Sequence, residues 1–134
     1  MTYLNQSVLS ILLLACAAQA QPPERAHADL RCKASGKDFV YECSLRLRGA
    51  KTGAPMSGVE ITVSADMPSM PMAHSIEPVK ATPAGTPGLY TFRLALEMLG
   101  VWTVKLRLAG RVKDQLVETL DFDRRGATKP SSRR

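Results

Sequence analysis

Four segments of this chain alternate apolar and polar residues so regularly that each reads as a strand with one buried face. Phe39, Tyr41, Cys43, Leu45 and Leu47 alternate with Val40, Glu42, Ser44, Arg46 and Arg48. Val59, Ile61, Val63 and Ala65 do the same against Glu60, Thr62 and Ser64. Tyr90, Phe92, Leu94 and Leu96 oppose Thr91, Arg93 and Ala95, and Trp102, Val104, Leu106 and Leu108 oppose Thr103, Lys105 and Arg107. Successive side chains of a strand point to opposite faces, so a period of two sorts each segment into a core side and a solvent side. Weaker strand patterns cover 29–34, 75–81 and 112–122, the last with Leu116, Leu120 and Phe122 on one parity.

Turn-forming residues separate these segments at Lys51-Thr52-Gly53-Ala54-Pro55, Pro83-Ala84-Gly85-Thr86-Pro87-Gly88, Leu99-Gly100 and Ala109-Gly110. The last two are short enough to predict hairpin connections. With no competing amphipathic helical pattern, about seven short antiparallel strands predict an all-β, immunoglobulin-like antiparallel β-sandwich.

The chain ahead of the strands has a different character. Residues 8–18 form an apolar block too short to span a bilayer as a mature helix, and Ala18-Gln19-Ala20 is a small-x-small cleavage site. Residues 1–20 are therefore read as a signal peptide, which predicts a periplasmic protein. Leu13-Leu14-Ala15-Cys16 also resembles a lipobox, whose cysteine would carry a lipid and hold the domain at a membrane. The small-x-small site is the better match and favours release. Residues 21–28 read as a linker, 29–122 as the sandwich domain and 123–134 as a basic, disordered tail.

Cys32 and Cys43 are an even pair in a chain read as exported, which predicts a disulfide. A simple hairpin turning at Ser35-Gly36-Lys37-Asp38 would set Cys32 opposite Tyr41. The bond then requires a longer loop, a bulge or non-adjacent strands. Ten intervening residues do not make a CxxC redox or metal pair.

Net charge is +6, but its location matters. Residues 123–134 hold five basic residues and one acidic, whereas residues 21–122 hold thirteen and eleven. A domain this balanced, with no aromatic stacking platform beside the basic tail, argues against nucleic-acid binding and for an electrostatic contact within the envelope.

One segment has an unusual composition. Met67-Pro68-Ser69-Met70-Pro71-Met72-Ala73-His74 gathers three of the six methionines and one of the two histidines. Thioether and imidazole are donors suited to Cu(I), and thioether needs no deprotonation to bind it. If Pro68 and Pro71 keep the segment extended, Met70, Met72 and His74 project from one face, with Met67 as a fourth donor. The competing reading is packing, since methionine fills irregular gaps between sheets. Met56 and Met98 lie beside turns and fit either reading. His27, in the linker, is solvated or lends its imidazole through a flexible arm.

The methionine segment, followed by Pro87-Gly88-Leu89-Tyr90 and by Met98-Leu99-Gly100-Val101-Trp102, resembles the YtkA-like and FixH-like family of bacterial envelope domains over about residues 29–110. The resemblance implies a β-sandwich and copper handling beside oxidase-assembly or metal-efflux components. It departs from the FixH pattern in lacking a retained transmembrane anchor. Cys32 and Cys43 are not required by the family pattern. The strand-start glycines and Trp102 are assigned structural roles, in a turn and in the core.

No Ser-x-Gly elbow, HExxH, CxxC or phosphate-binding glycine loop occurs, and Asp66 and Glu77 beside the methionines read as solvated carboxylates. The sequence therefore predicts a non-enzymatic protein. It would bind or deliver Cu(I) through Met70, Met72 and His74, assisted by Met67, by ligand exchange with envelope copper-handling or efflux proteins. Membrane contact is expected only if Cys16 is lipidated. The alternative is a structural or adaptor domain of an envelope complex, without metal.

Overall fold

A computed structural model describes residues 23–131. The expected signal peptide, its cleavage site and Cys16 lie outside the described residues.

The described chain is all-β. Six strands of seven residues or more carry the fold: β1 (Ala26–Ala34), β2 (Val40–Gly49), β3 (Val59–Asp66), β6 (Leu89–Ala95), β7 (Gly100–Gly110) and β8 (Asp114–Phe122). Three two-residue strands, β4 (Val79–Lys80), β5 (Thr82–Pro83) and β9 (Ala127–Thr128), trim the edges. Every pairing is antiparallel, in one sheet ordered β1-β2-β6-β5 and another ordered β4-β3-β7-β8-β9. Strand for strand this is the A-B-E-D and C′-C-F-G arrangement of an immunoglobulin-like sandwich, with β9 added beside β8.

The inward parities read from the sequence meet in the core. Trp102, Tyr41, Tyr90, Phe122, Leu45, Leu47, Leu94 and Leu106 are fully buried, and no polar or charged residue among those described is. The two buried phenols keep their hydroxyls satisfied. Tyr41 donates to the Asp123 carbonyl at 2.7 Å and packs edge-on against Phe122. Tyr90 donates to the Met56 carbonyl at 2.9 Å and accepts from the Val59 amide at 3.2 Å, which fastens the β2–β3 connection to the core. Trp102 donates to the Met98 carbonyl at 3.2 Å.

Cys32 and Cys43 form the expected disulfide as direct partners on β1 and β2, 4.1 Å apart at Cα. Of the geometries left open, the longer loop is the one adopted. Ser35 donates to the Val40 carbonyl, so four residues, Gly36 to Phe39, make the turn. Phe39 pays for this geometry with a φ of 61° and an exposed ring, so it does not share the inward parity expected of it.

Several boundaries differ from expectation. Residues 26–28 are strand rather than linker, because Ala26, His27 and Ala28 pair with Gly49, Arg48 and Leu47. Ahead of them Glu24 accepts hydrogen bonds from the Lys51 and Thr52 amides, so the chain is tied down before β1 begins. The proposed tail contains ordered structure as well. Asp123 caps a turn at Arg125 and Gly126, β9 pairs with β8, and Gly126 bridges to Lys33. Gly126 meets β1 so closely that a Cβ there would lie 2.5 Å from the Cys32 carbonyl oxygen. The 75–81 segment is not one strand: Val79–Lys80 pairs with β3, and Thr82–Pro83 crosses to pair with β6. Leu99-Gly100 likewise ends a crossing from β6 to β7 between sheets and is not a hairpin, whereas Ala109-Gly110 does lead the β7–β8 hairpin.

Candidate functional site

Strand directions bring four connections to one end of the sandwich: the β1–β2 turn, the methionine-bearing segment after β3, the β6–β7 crossing and the β8–β9 turn. This loop end collects most of the chemistry singled out in the sequence. Phe39, Met70, Met72 and Leu99 are four of the six exposed large hydrophobic residues among those described, and all four lie here. A cleft of about 610 Å³ opens between Phe39 and Leu99, lined also by Lys37, Tyr41 and Arg124. Burial, followed by the nearby Asp123 carboxylate, raises the pKa of the Tyr41 phenol.

The methionine segment is not extended. Two turns follow each other, closed by Met70 N–H to the Met67 carbonyl at 3.1 Å and by Ala73 N–H to the Met70 carbonyl at 3.2 Å. Met67 N–H to the His74 carbonyl, at 3.2 Å, closes the whole loop. The expectation that Met70, Met72 and His74 share one face of an extended chain therefore fails. Proline at the second position of a turn is as well accommodated as in an extended strand, so Pro68 and Pro71 serve the folded loop equally well.

The three methionines part company. Met67 is 5% exposed and belongs to the core cluster, its methyl group against Gly100. That position does not suit the assisting role expected of it. Met70 is 39% exposed and Met72 97%, the latter at a φ of 71° that a side chain seldom adopts. His74 is partly buried, and its Nδ1 is engaged by the Glu97 carboxylate from the β6–β7 crossing. Met98, beside Glu97, packs partly against the core.

Other expected contributors go elsewhere. His27 pairs with Arg48 near the start of β1, more than about 20 Å along the strand from the loop end. Met56 sits at the opposite end, where its carbonyl holds Tyr90. Asp66 is paired with Lys105 rather than solvated. Glu97 was missed by sequence reasoning. It stands directly after Leu96, where the inward alternation ends, and that break was the available signal.

Among the described residues no three His, Cys, Asp or Glu side chains gather as a metal-binding group. Also among the described residues, no helix is long and apolar enough to cross a membrane.

The architecture defines a small immunoglobulin-like sandwich domain, with Met67, Met70, Met72, His74 and Glu97 gathered on the connections of one loop end. A family model described as YtkA-like matches residues 29–107, from within β1 to within β7. The chain belongs to the YtkA-like family. The match includes the methionine segment, Gly88, Tyr90, Gly100 and Trp102, and leaves β8 and β9 outside it. Neither the comparison with curated proteins nor that with solved structures returns a match.

Proposed function

We propose that this is an exported, periplasmic domain that binds Cu(I) at its loop end through Met70, Met72 and His74, and passes the ion to envelope copper-handling partners. The observation that carries the reading is the separation of the methionines. Packing accounts for Met67 but not for Met72, which buries almost nothing and sits in an unfavourable backbone conformation. Exposed thioethers on a turn, with an imidazole two residues further along the chain, are donors suited to a soft monovalent cation.

The Glu97 contact adds support. A histidine that ligates a metal commonly gives its other ring N–H to a carboxylate, which sets the tautomer and the ring orientation. With Nδ1 committed to Glu97, Nε2 is the nitrogen left for a ligand. The chemistry is binding and exchange rather than turnover. An accessible site lets a partner's donors replace these one at a time.

The exposed apolar residues at the same end favour a second reading, a non-metal adaptor that docks through Phe39, Met70, Met72 and Leu99. An anaerobic Cu(I) competition titration against a chromogenic chelator separates the two. Wild-type protein should withhold one equivalent, and Met70→Leu/Met72→Leu/His74→Gln should withhold none while keeping its fold. No competition by the wild type would sink the copper reading and leave the adaptor.

A further inference from the structure

The charges of the domain, nearly balanced in sequence, are not balanced in space. The outer face of the β1-β2-β6-β5 sheet carries Arg31, Lys33, Arg46, Arg48 and Arg93 against only Asp29 and Glu42, as the strand registers place them. The outer face of the other sheet carries Lys80, Lys105 and Arg107 against Glu60, Asp66 and Asp121. Both carboxylates of the first face are already engaged, Asp29 by Arg31 at 3.9 Å and Glu42 by Arg93. Lys33, Arg46 and Arg48 are exposed and have no acidic partner among the described residues.

From this asymmetry we infer that the outer face of the β1-β2-β6-β5 sheet is an electrostatic docking surface for an anionic phospholipid bilayer, and that it lays the domain flat on the membrane. The inference is independent of the copper reading and involves a different part of the molecule. Two features favour a lipid surface over one discrete anion. The free cations are spread along two strands and do not converge on a point. The clefts between them, one of about 250 Å³ lined by Asp29, Arg31, Ser44, Arg46 and Leu89 and a neighbour of about 300 Å³ lined by Arg46, Arg48, Pro55, Pro87 and Leu89, each hold only one or two of these free cations and share a face with the hydroxyls of Ser44 and Thr91. A sheet face of this kind meets a plane of headgroup phosphates with many weak contacts. Each cation near such a surface strengthens partition about five-fold, and added salt screens the effect.

The test is vesicle co-sedimentation of the protein as purified from the exporting cell, comparing zwitterionic vesicles with vesicles containing about a third phosphatidylglycerol. Binding to zwitterionic vesicles reports any apolar anchor on the chain; the excess on anionic vesicles reports the cationic face. Arg46→Gln/Arg48→Gln should cut that excess roughly thirty-fold while leaving the melting temperature unchanged. Lys80→Gln/Arg107→Gln removes the same net charge from the other face and should leave the excess largely intact. Lys33→Gln/Arg46→Gln supplies a second pair, sharing only Arg46 with the first, should the first variant fold poorly. Equal losses from the two faces would overturn the inference, as would an excess that vanishes only on removing residues 129–134, or no excess at low salt, which would point to an acidic protein as the partner.

Discussion

Glu97, on the β6–β7 crossing, engages Nδ1 of His74, on the methionine loop after β3, so two connections far apart in sequence meet at the loop end. The carboxylate belongs to the crossing and the imidazole to the methionine loop, so their pairing forms only once β3 and β7 lie side by side.

If that pairing orients the ring, Glu97→Gln should keep the fold and weaken Cu(I) affinity by ten- to a hundred-fold. The check is the chelator competition already described, with thermal melting as the control. An affinity equal to wild type would mean that Glu97 is only a surface ion pair, worth little in either respect.

Gly88 makes a stability prediction. Its φ is 75°, and a Cβ there would lie 2.6 Å from the Leu47 carbonyl oxygen and 2.9 Å from Pro55 Cβ. Gly88→Ala should therefore cost at least about 2 kcal/mol, from the left-handed backbone and from displacement of β2. Urea denaturation would measure it. Gly36→Ala, also at positive φ but with open space around it, is the milder comparison and should cost about 1 kcal/mol.

The disulfide closes a short loop between adjacent strands that already pair along their whole length. Cys32→Ala/Cys43→Ala should lower stability by about 2–3 kcal/mol, the cost of releasing a loop of that length in the unfolded chain. The variant should remain folded, since β1 is also held by Ala34 N–H to the Arg125 carbonyl. Chemical denaturation of the variant beside wild type, both under oxidising conditions, reads the difference.

Asp123 sets an acid dependence. Backbone N–H groups of Arg125 and then Gly126 donate to its carboxylate and hold its pKa below the ordinary value of 3.8. A depressed folded-state pKa stabilises the fold above the unfolded value, and that contribution is lost as pH falls through the depressed one. Asp123→Asn should thus show a smaller fall in melting temperature between about pH 5 and pH 2 than wild type does. Equal falls in both proteins would remove Asp123 from the acid response.

Much of the architecture was legible because strand burial is a local property. Trp102, Val104, Leu106 and Leu108 announce one inward face regardless of what lies opposite, and the same holds for Tyr41 to Leu47. The edges were harder. Ala26 to Ala28 and Ala127–Thr128 are too short or too plain to show a period, and they are strand only because β2 and β8 offer them hydrogen bonds. Phe39 followed the alternation in sequence but was given up to the turn that aligns the two cysteines.

The loop end divides the same way. Sequence alone determined that Met67, Met70, Met72 and His74 would be near neighbours along the chain and that the segment around Pro68 and Pro71 would not be a helix. Tertiary structure decided that Met67 points into the core, that Met72 stands in solvent on a turn, and that Glu97 meets His74. It also decided that the cations of β1 and β2 share one face. Periodicity is carried by neighbours in sequence, whereas these relationships depend on how two sheets are stacked and connected, which is settled only when distant strands pack.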